Sequence, residues 1–255
     1  GFHEPHGATV LTNGNKVYIP NRGAHLIGVV ESNNKFSKKD ISVGTLAGLA
    51  SFERDKAGAA KHRERSIPVN GVSNITLTLD EKYAYIATGD ANSVTVMDTT
   101  TDQIIKTIPV GLDPWRAYAS PDGKYMVIPN NGDKTISIID AKSHTLVSSL
   151  PGGADMTGVN FAQGGQKGYV ISREENKVFI YDFITLKKIN QLEMEKEARL
   201  ETGSTTPAGK KIYITSSSNN SLYVINTESD KVKRIKDVGS FPWGVSIYKG
   251  QNYCH

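Results

Sequence analysis

The chain has 255 residues, 38% of them hydrophobic and 22% charged, with a single cysteine, Cys254. That composition excludes a disordered chain, an internal disulfide framework and any Cys-x-x-Cys metal or redox motif. Thirty basic against 26 acidic residues leave a formal charge of +4, with both signs interspersed, so no nucleic-acid partner is implied.

The chain opens on Gly1 rather than Met, which reads as a processed or partial product. Residues 1–10 begin a first strand and carry His3-Glu4-Pro5-His6. VYIPNRG from Val17 and LIGVVES from Leu26 follow as strands, and Val43-Gly44 closes a fourth. Residues 45–66 form an insertion rich in Ala, Leu, Glu, Lys and Arg and free of Pro, part of which is expected to be helical. Its Lys61-His62-Arg63-Glu64-Arg65 is the densest basic cluster and reads as a solvated loop.

From residue 71 the pattern becomes regular. The clearest unit is 112–153, four apolar runs cut by Pro121-Asp122-Gly123, by Asn130-Asn131-Gly132-Asp133 and by a polar turn after Asp140. Short runs of Val, Ile and Tyr between such turn residues predict four antiparallel strands, the size of one propeller blade. The strand ends SVTVMD, TISIID, KVFIYD and SLYVIN place Asp98, Asp140, Asp182 and Asn226 at a repeat of about 42–44 residues. Five blades result, at about 1–44, 71–111, 112–153, 154–196 and 197–239, within one all-β propeller domain spanning 1–255. Residues 240–255 match the start of a sixth, since Pro242-Trp243 falls on Pro114-Trp115 and Tyr253 on Tyr125. The expectation is an intact ring of six to eight blades, best seven, completed by further blades or by a protein partner.

These strand ends, with YIATG, VIPNN, YVISR and YITSS before them, resemble the YVTN-type repeat of bacterial and archaeal β-propellers. Similar repeats occur in surface-layer and other exported proteins, in amine dehydrogenase large subunits and in the haem d1 domain of cytochrome cd1. The resemblance implies the periplasm or cell surface and a part in binding or redox chemistry. No stretch approaches the length of a membrane span.

First strands of a propeller line its channel. By the repeat the residues at the mouth are His6, Ser73, Trp115, Thr157, Glu201 and Trp243, with Glu4, Asp113, Arg116, Asp155 and Arg199 beside them. Trp115, Arg116 and Trp243 are the candidate contacts for a small-molecule ligand or cofactor ring there. His3 and His6, with His62 from the insertion, are the candidate metal ligands. The His-Glu-Pro-His segment resembles that of copper propellers such as nitrous oxide reductase, but the other blades place Ser, Trp, Thr, Glu and Trp where that family has histidines. Cys254-His255 lacks the first cysteine of a haem-attachment motif, and His25 and His144 fall in turns, as surface loop residues.

No complete catalytic constellation is present, so the first functional reading is a non-catalytic binding or scaffold propeller, exported, as a subunit of a redox assembly. One alternative is a redox enzyme with a haem d1-like or copper cofactor at the channel mouth. Another is a lactonase-like hydrolase, for which Glu4, Asp155 and Glu201 would supply calcium-binding carboxylates.

Overall fold

The computed structural model describes residues 5, 7–21, 25–32, 37–43 and 71–252; His3, His6, His62, Cys254 and the insertion with its expected helix lie outside the described residues. The first sheet holds β1 (Thr9–Val10), β2 (Lys16–Asn21), β3 (Leu26–Glu31) and β4 (Ser37–Ser42). β5 (Val72–Leu77), β6 (Tyr83–Thr88), β7 (Ser93–Asp98) and β8 (Gln103–Pro109) form the second. The third has β9 (Tyr118–Ala119), β10 (Tyr125–Asn130), β11 (Thr135–Asp140) and β12 (Thr145–Pro151). β13 (Met156–Ala162), β14 (Lys167–Ser172), β15 (Lys177–Asp182) and β16 (Lys187–Glu193) make the fourth. In the fifth, β17 (Leu200–Thr205), β18 (Lys211–Ser216), β19 (Ser221–Asn226) and β20 (Val232–Ile235) are joined on the β17 side by β21 (Gln251–Asn252).

The sheets are the antiparallel blades of an all-β propeller fold, their strands in chain order. The last one differs in detail: Asn252 and Gln251 pair with Ser204 and Thr205, so β21 adds a fifth strand to the fifth sheet. By contacts the chain divides into two compact units, the first holding three sheets up to Ser149 and the second two sheets from Leu150 onward.

The repeating acids and amide have a local task. Asp98 Oδ1 accepts from the backbone N–H groups of Thr100 and Thr101 at 2.8 and 2.9 Å, and Asn226 Oδ1 from those of Glu228 and Ser229 at 3.0 Å each. Asp140 and Asp182 do the same, so each of these third-to-fourth-strand turns is closed by its own side chain. These backbone bonds hold the Asp98 and Asp140 carboxyls below the usual carboxylate range. Four residues after each stands a left-handed residue: Asp102, His144, Leu186 and Asp230.

Apolar rows recur in the same register. Tyr18, Ile27 and Val29 of the first sheet are fully buried and pack with Ile75, Ala84, Ile86 and Met97 of the second. Tyr85, Val94 and Val96 of the second pack likewise with Ala117, Met126, Ile128 and Ile139 of the third. In the second unit Tyr169, Val178 and Ile180 are buried against Leu200, Ile212, Ile214, Tyr223 and Ile225. Each buried Val, Leu, Ile or Met among them contributes about 1.5–3 kcal/mol relative to exposure. Within each unit the core is therefore built as slabs between consecutive sheets.

A polar clasp sits at the edge of two slabs. Lys16 Nζ reaches both Asp102 oxygens at 3.0 Å and Tyr18 Oη donates to Asp102 Oδ1 at 2.7 Å. Lys167 Nζ reaches Asp230 at 2.8 and 2.9 Å, and Tyr169 Oη donates to its Oδ1 at 2.6 Å. Between the second and third sheets the same register brings Tyr85 Oη to His144 Nδ1 at 2.6 Å, with Tyr83 edge-on to the imidazole.

The two described histidines are thus in turns, as expected, but not surface residues. His144 is half-buried under Tyr83 and Tyr85. His25 Nε2 lies 3.0 Å from Asp90 Oδ2, and its side chain is 17% exposed. Both rings serve packing and turn geometry, roles that a loop position does not reveal.

Candidate functional site

The strongest concentration of buried charge is at the beginnings of β13 and β17 in the second unit. Glu201 is fully buried in β17. Its Oε2 accepts from Arg173 Nη1 at 2.9 Å, and its Oε1 from Arg199 Nε at 3.0 Å and Ser217 Oγ at 2.5 Å. Arg173, just past β14, also forks onto Asp155: Nε to Oδ2 at 2.7 Å and Nη2 to Oδ1 at 3.0 Å. Two guanidiniums and two carboxylates balance, which is what allows a charge to stand where water does not reach.

Sequence register places these groups. Thr157 and Glu201 occupy the same position in successive first strands, and Thr157 Oγ1 donates to the Glu201 carbonyl at 2.5 Å. The Arg173 N–H donates to the Asp155 carbonyl at 3.0 Å, and the Ser217 N–H to the Arg199 carbonyl at 3.0 Å, fixing both turns. Burial opposes the Arg173 charge, but hydrogen bonds and charge from Asp155 and then Glu201 outweigh it and raise its pKa above the ordinary guanidinium value. Arg199 differs from its partner. Its side chain is 46% exposed, so Nε is anchored on a buried carboxylate while the outer N–H groups face solvent. A guanidinium held this way can fork onto a carboxylate or phosphate without first being ordered.

Of the mouth residues expected from the repeat, the structure brings together Asp155, Thr157, Arg199 and Glu201. Trp243 belongs to the same unit; it is 44% exposed and stacks with Phe241 at a centroid distance of 6.1 Å. Its carbonyl accepts from Thr215 Oγ1 at 2.9 Å. Trp115 and Arg116 lie in the first unit. The Trp115 N–H donates to the Pro129 carbonyl at 3.2 Å, and the Arg116 guanidinium sits 5.5 Å from the centre of the buried Tyr118 ring. His3, His6 and His62 fall outside the described residues, and among those described no group of three His, Cys, Asp or Glu side chains is placed to hold a metal ion.

Sequence reasoning missed Arg173 and Ser217. A signal existed: the positions matching Arg173 in the other repeats are Arg22, Gly89, Asn131 and Ser217, so a long cation stands at two of five positions that otherwise hold small or polar uncharged residues.

Four-stranded antiparallel blades, one of which holds a half-exposed guanidinium on a buried carboxylate at the start of its first strand, define a propeller scaffold. Residues 72–255 match the description of the cytochrome D1 heme domain, and the chain belongs to that family. Among solved structures it is similar to Kuenenia stuttgartiensis hydrazine synthase, at 20% identity and a TM-score of 0.71, over 95% of this chain and 70% of that one. It is also similar to dihydro-heme d1 dehydrogenase NirN, solved in complex with DHE, at 13% identity and a TM-score of 0.67, covering 91% of this chain and 47% of that one. At these identities the likeness is one of fold. No curated protein sequence matches the chain.

The family implies a haem, and the described residues fit its periphery. Arg199 presents outward N–H donors from a buried anchor, suited to the carboxylates of a tetrapyrrole edge. The iron is a separate question, since His25 is engaged with Asp90 and His144 with Tyr85. Among the described residues no helix is long and apolar enough to cross a membrane.

Proposed function

We propose that this chain is a binding propeller of a redox assembly in the periplasm or at the cell surface, and that its ligand is a carboxylate-bearing tetrapyrrole of the d1-haem class. The observation that carries this reading is Arg199, half-exposed and held at Nε by the fully buried Glu201. Family membership supports the ligand class, and the relative solved with DHE is named as a dihydro-heme d1 dehydrogenase. Arg199 would take a carboxylate of the ring, and the exposed Phe241–Trp243 pair offers an apolar surface to its face. Such a haem supplies iron redox chemistry when bound. His6, with His3 or His62, is the candidate source of an iron ligand. Further blades or a protein partner complete the ring around the site.

The test is an absorption titration of the purified protein with d1-type haem, alongside elemental mass spectrometry of the protein as isolated. Saturable binding is expected, with affinity about tenfold weaker in Arg199→Ala, the worth of one charge-assisted hydrogen-bonded contact. His6→Ala should change the ligand-field bands without abolishing uptake. Equal affinity in wild type and Arg199→Ala, or no spectral change at all, would overturn the proposal.

A further inference from the structure

The clasp between the second and third sheets differs from the other two in one chemical respect: its tyrosine faces a base instead of a salt-bridged acid. Tyr85 Oη and His144 Nδ1 are 2.6 Å apart, while the Ala141 carbonyl is at 3.4 Å, so the phenol proton lies on the line to the imidazole. Burial, with the charge of Asp140 and then Tyr83 adding, raises the Tyr85 pKa. Burial, with Lys106 adding and Asp140 opposing, lowers that of His144. At neutral pH the pair is therefore a neutral phenol donating to a neutral imidazole.

Tyr18 and Tyr169 donate instead to Asp102 and Asp230, each already held by a lysine. In model compounds, with pKa values of about 3.9 and about 6.5, a carboxylate holds a proton roughly 400-fold less tightly than an imidazole. Tyr181 donates to the Pro151 carbonyl at 2.6 Å, which is not a base at all. Of these four tyrosines, only Tyr85 has a partner able to hold its proton near neutral pH.

We propose that Tyr85 and His144 form a redox site, a one-electron, one-proton donor to outer-sphere oxidants of the metal-complex class, with the radical on Tyr85 and the proton on His144. Loss of an electron turns a phenol into a very strong acid, so oxidation is accessible only where the proton has somewhere to go. One electron leaves the Tyr85 ring and reduces the oxidant by one. The Oη–H bond breaks and an Nδ1–H bond forms, leaving a neutral tyrosyl radical beside an imidazolium. The protein gains one positive charge, which balances the electron removed. Re-reduction returns the electron to the ring and the proton to Oη.

The surroundings favour both halves of the step. The Tyr85 ring is fully buried in the cluster that holds Val94, Val96, Met126, Ile128 and Ile139, so a radical there is screened from water and solutes. His144 is half-buried, which leaves its new charge partly solvated, and Tyr83 lies edge-on to it at a centroid distance of 4.5 Å, extending the aromatic contact. The charged groups facing the imidazole are Asp140, which favours the imidazolium, and Lys106, which opposes it. Both residues of the pair belong to the first unit and need no bound tetrapyrrole, so a failure of haem binding would leave this site untouched.

The test is flash oxidation of the purified chain by a photogenerated ruthenium(III) tris-bipyridine complex, the radical being read by electron paramagnetic resonance and transient absorption. A tyrosyl signal is expected that outlives that of the 86% exposed Tyr248. Tyr85→Phe, which removes only the hydroxyl, should abolish the long-lived signal, whereas Tyr169→Phe should leave it unchanged. In the wild type its yield should fall at least about tenfold once the pH is about one unit below the folded pKa of His144, because the imidazole is then protonated in advance. His144→Gly tests the base directly: the position is left-handed, with φ 53°, a conformation glycine adopts readily, so the turn survives while the imidazole is lost. The radical yield should drop about a hundredfold, the lower end of what a positioned general base supplies, and free imidazole in solution should restore it, which a packing role would not produce. No long-lived radical in the wild type, a signal that survives in Tyr85→Phe, or a His144→Gly yield that equals the wild type or fails to recover with imidazole would each overturn the proposal. Should His144→Gly not fold, the wild-type pH profile decides, and a flat yield across the titration of His144 would overturn the pair.

Discussion

Glu201→Ala is the most informative single substitution in the site. It deletes a carboxylate that is fully buried and accepts three side-chain hydrogen bonds, from Arg173, Arg199 and Ser217. Arg173 keeps both bonds to Asp155, so it is not stranded, but Arg199 loses the carboxylate that anchors its Nε. Breaking a buried pair by removing one partner costs about 3–5 kcal/mol, and the surviving Asp155 fork puts the loss near the lower end, about 3 kcal/mol. For a chain of this size that is a fall of about 6–12 °C in melting temperature. Arg199→Ala serves as the comparison: its side chain is 46% exposed, so its removal should cost at most about 1 kcal/mol, or less than about 4 °C. The assay is thermal unfolding by circular dichroism at low and high salt. Equal shifts for the two variants, or a Glu201→Ala protein melting with the wild type, would refute the view that Glu201 is the buried anchor and Arg199 its exposed outlet.

Three further outcomes are expected. Gly153→Ala should destabilise by about 1–3 kcal/mol, since a Cβ there would lie 2.2 Å from Cε2 of the buried Phe179 ring, whereas Gly244→Ala, with only Thr202 Oγ1 at 3.6 Å, should be neutral in the same melting assay. His25 should titrate above 6.5, because the hydrogen bond it donates to Asp90 outweighs its burial; that contribution is complete below pH 6.5 and lost as pH rises through the folded pKa. His144 should titrate below 6.5, chiefly from burial, with Lys106 adding; it costs nothing above pH 6.5 and destabilises as pH falls toward the folded value. Imidazole resonances assigned with His25→Gln and His144→Gln test both signs, and a shared titration point near 6.5 would contradict them. Asp90→Asn should bring His25 down without moving His144.

Much of this architecture was legible because it is local and periodic. Asp98, Asp140, Asp182 and Asn226 stand out in the sequence since each closes a turn over the next two or three residues, a task that needs no distant contact. The near-continuous runs of Val, Ile and Tyr in the third strands mark sheets buried on both faces, and the repeat then fixes which residues of successive blades correspond. Glu201, Thr157, Asp155 and Arg199 could be nominated from that correspondence alone. The tail could not be placed by it: residues 251–252 pair with β17, because an exposed inner strand edge competes for any extended segment nearby.

By itself, then, the sequence determined the blades, their register and the candidate positions at the starts of first strands. Pairwise distance in three dimensions decided the rest. Arg173 joins Asp155 to Glu201 only because two successive blades bring their turns together. Asp102 and Asp230 hold lysine and tyrosine clasps, while His144 at the same register meets Tyr85 and Leu186 carries no ionisable group. Secondary structure follows from side-chain alternation and turn chemistry along the chain. Charge partners depend on desolvation and on which groups packing places within about 3 Å of one another, and no local pattern encodes that.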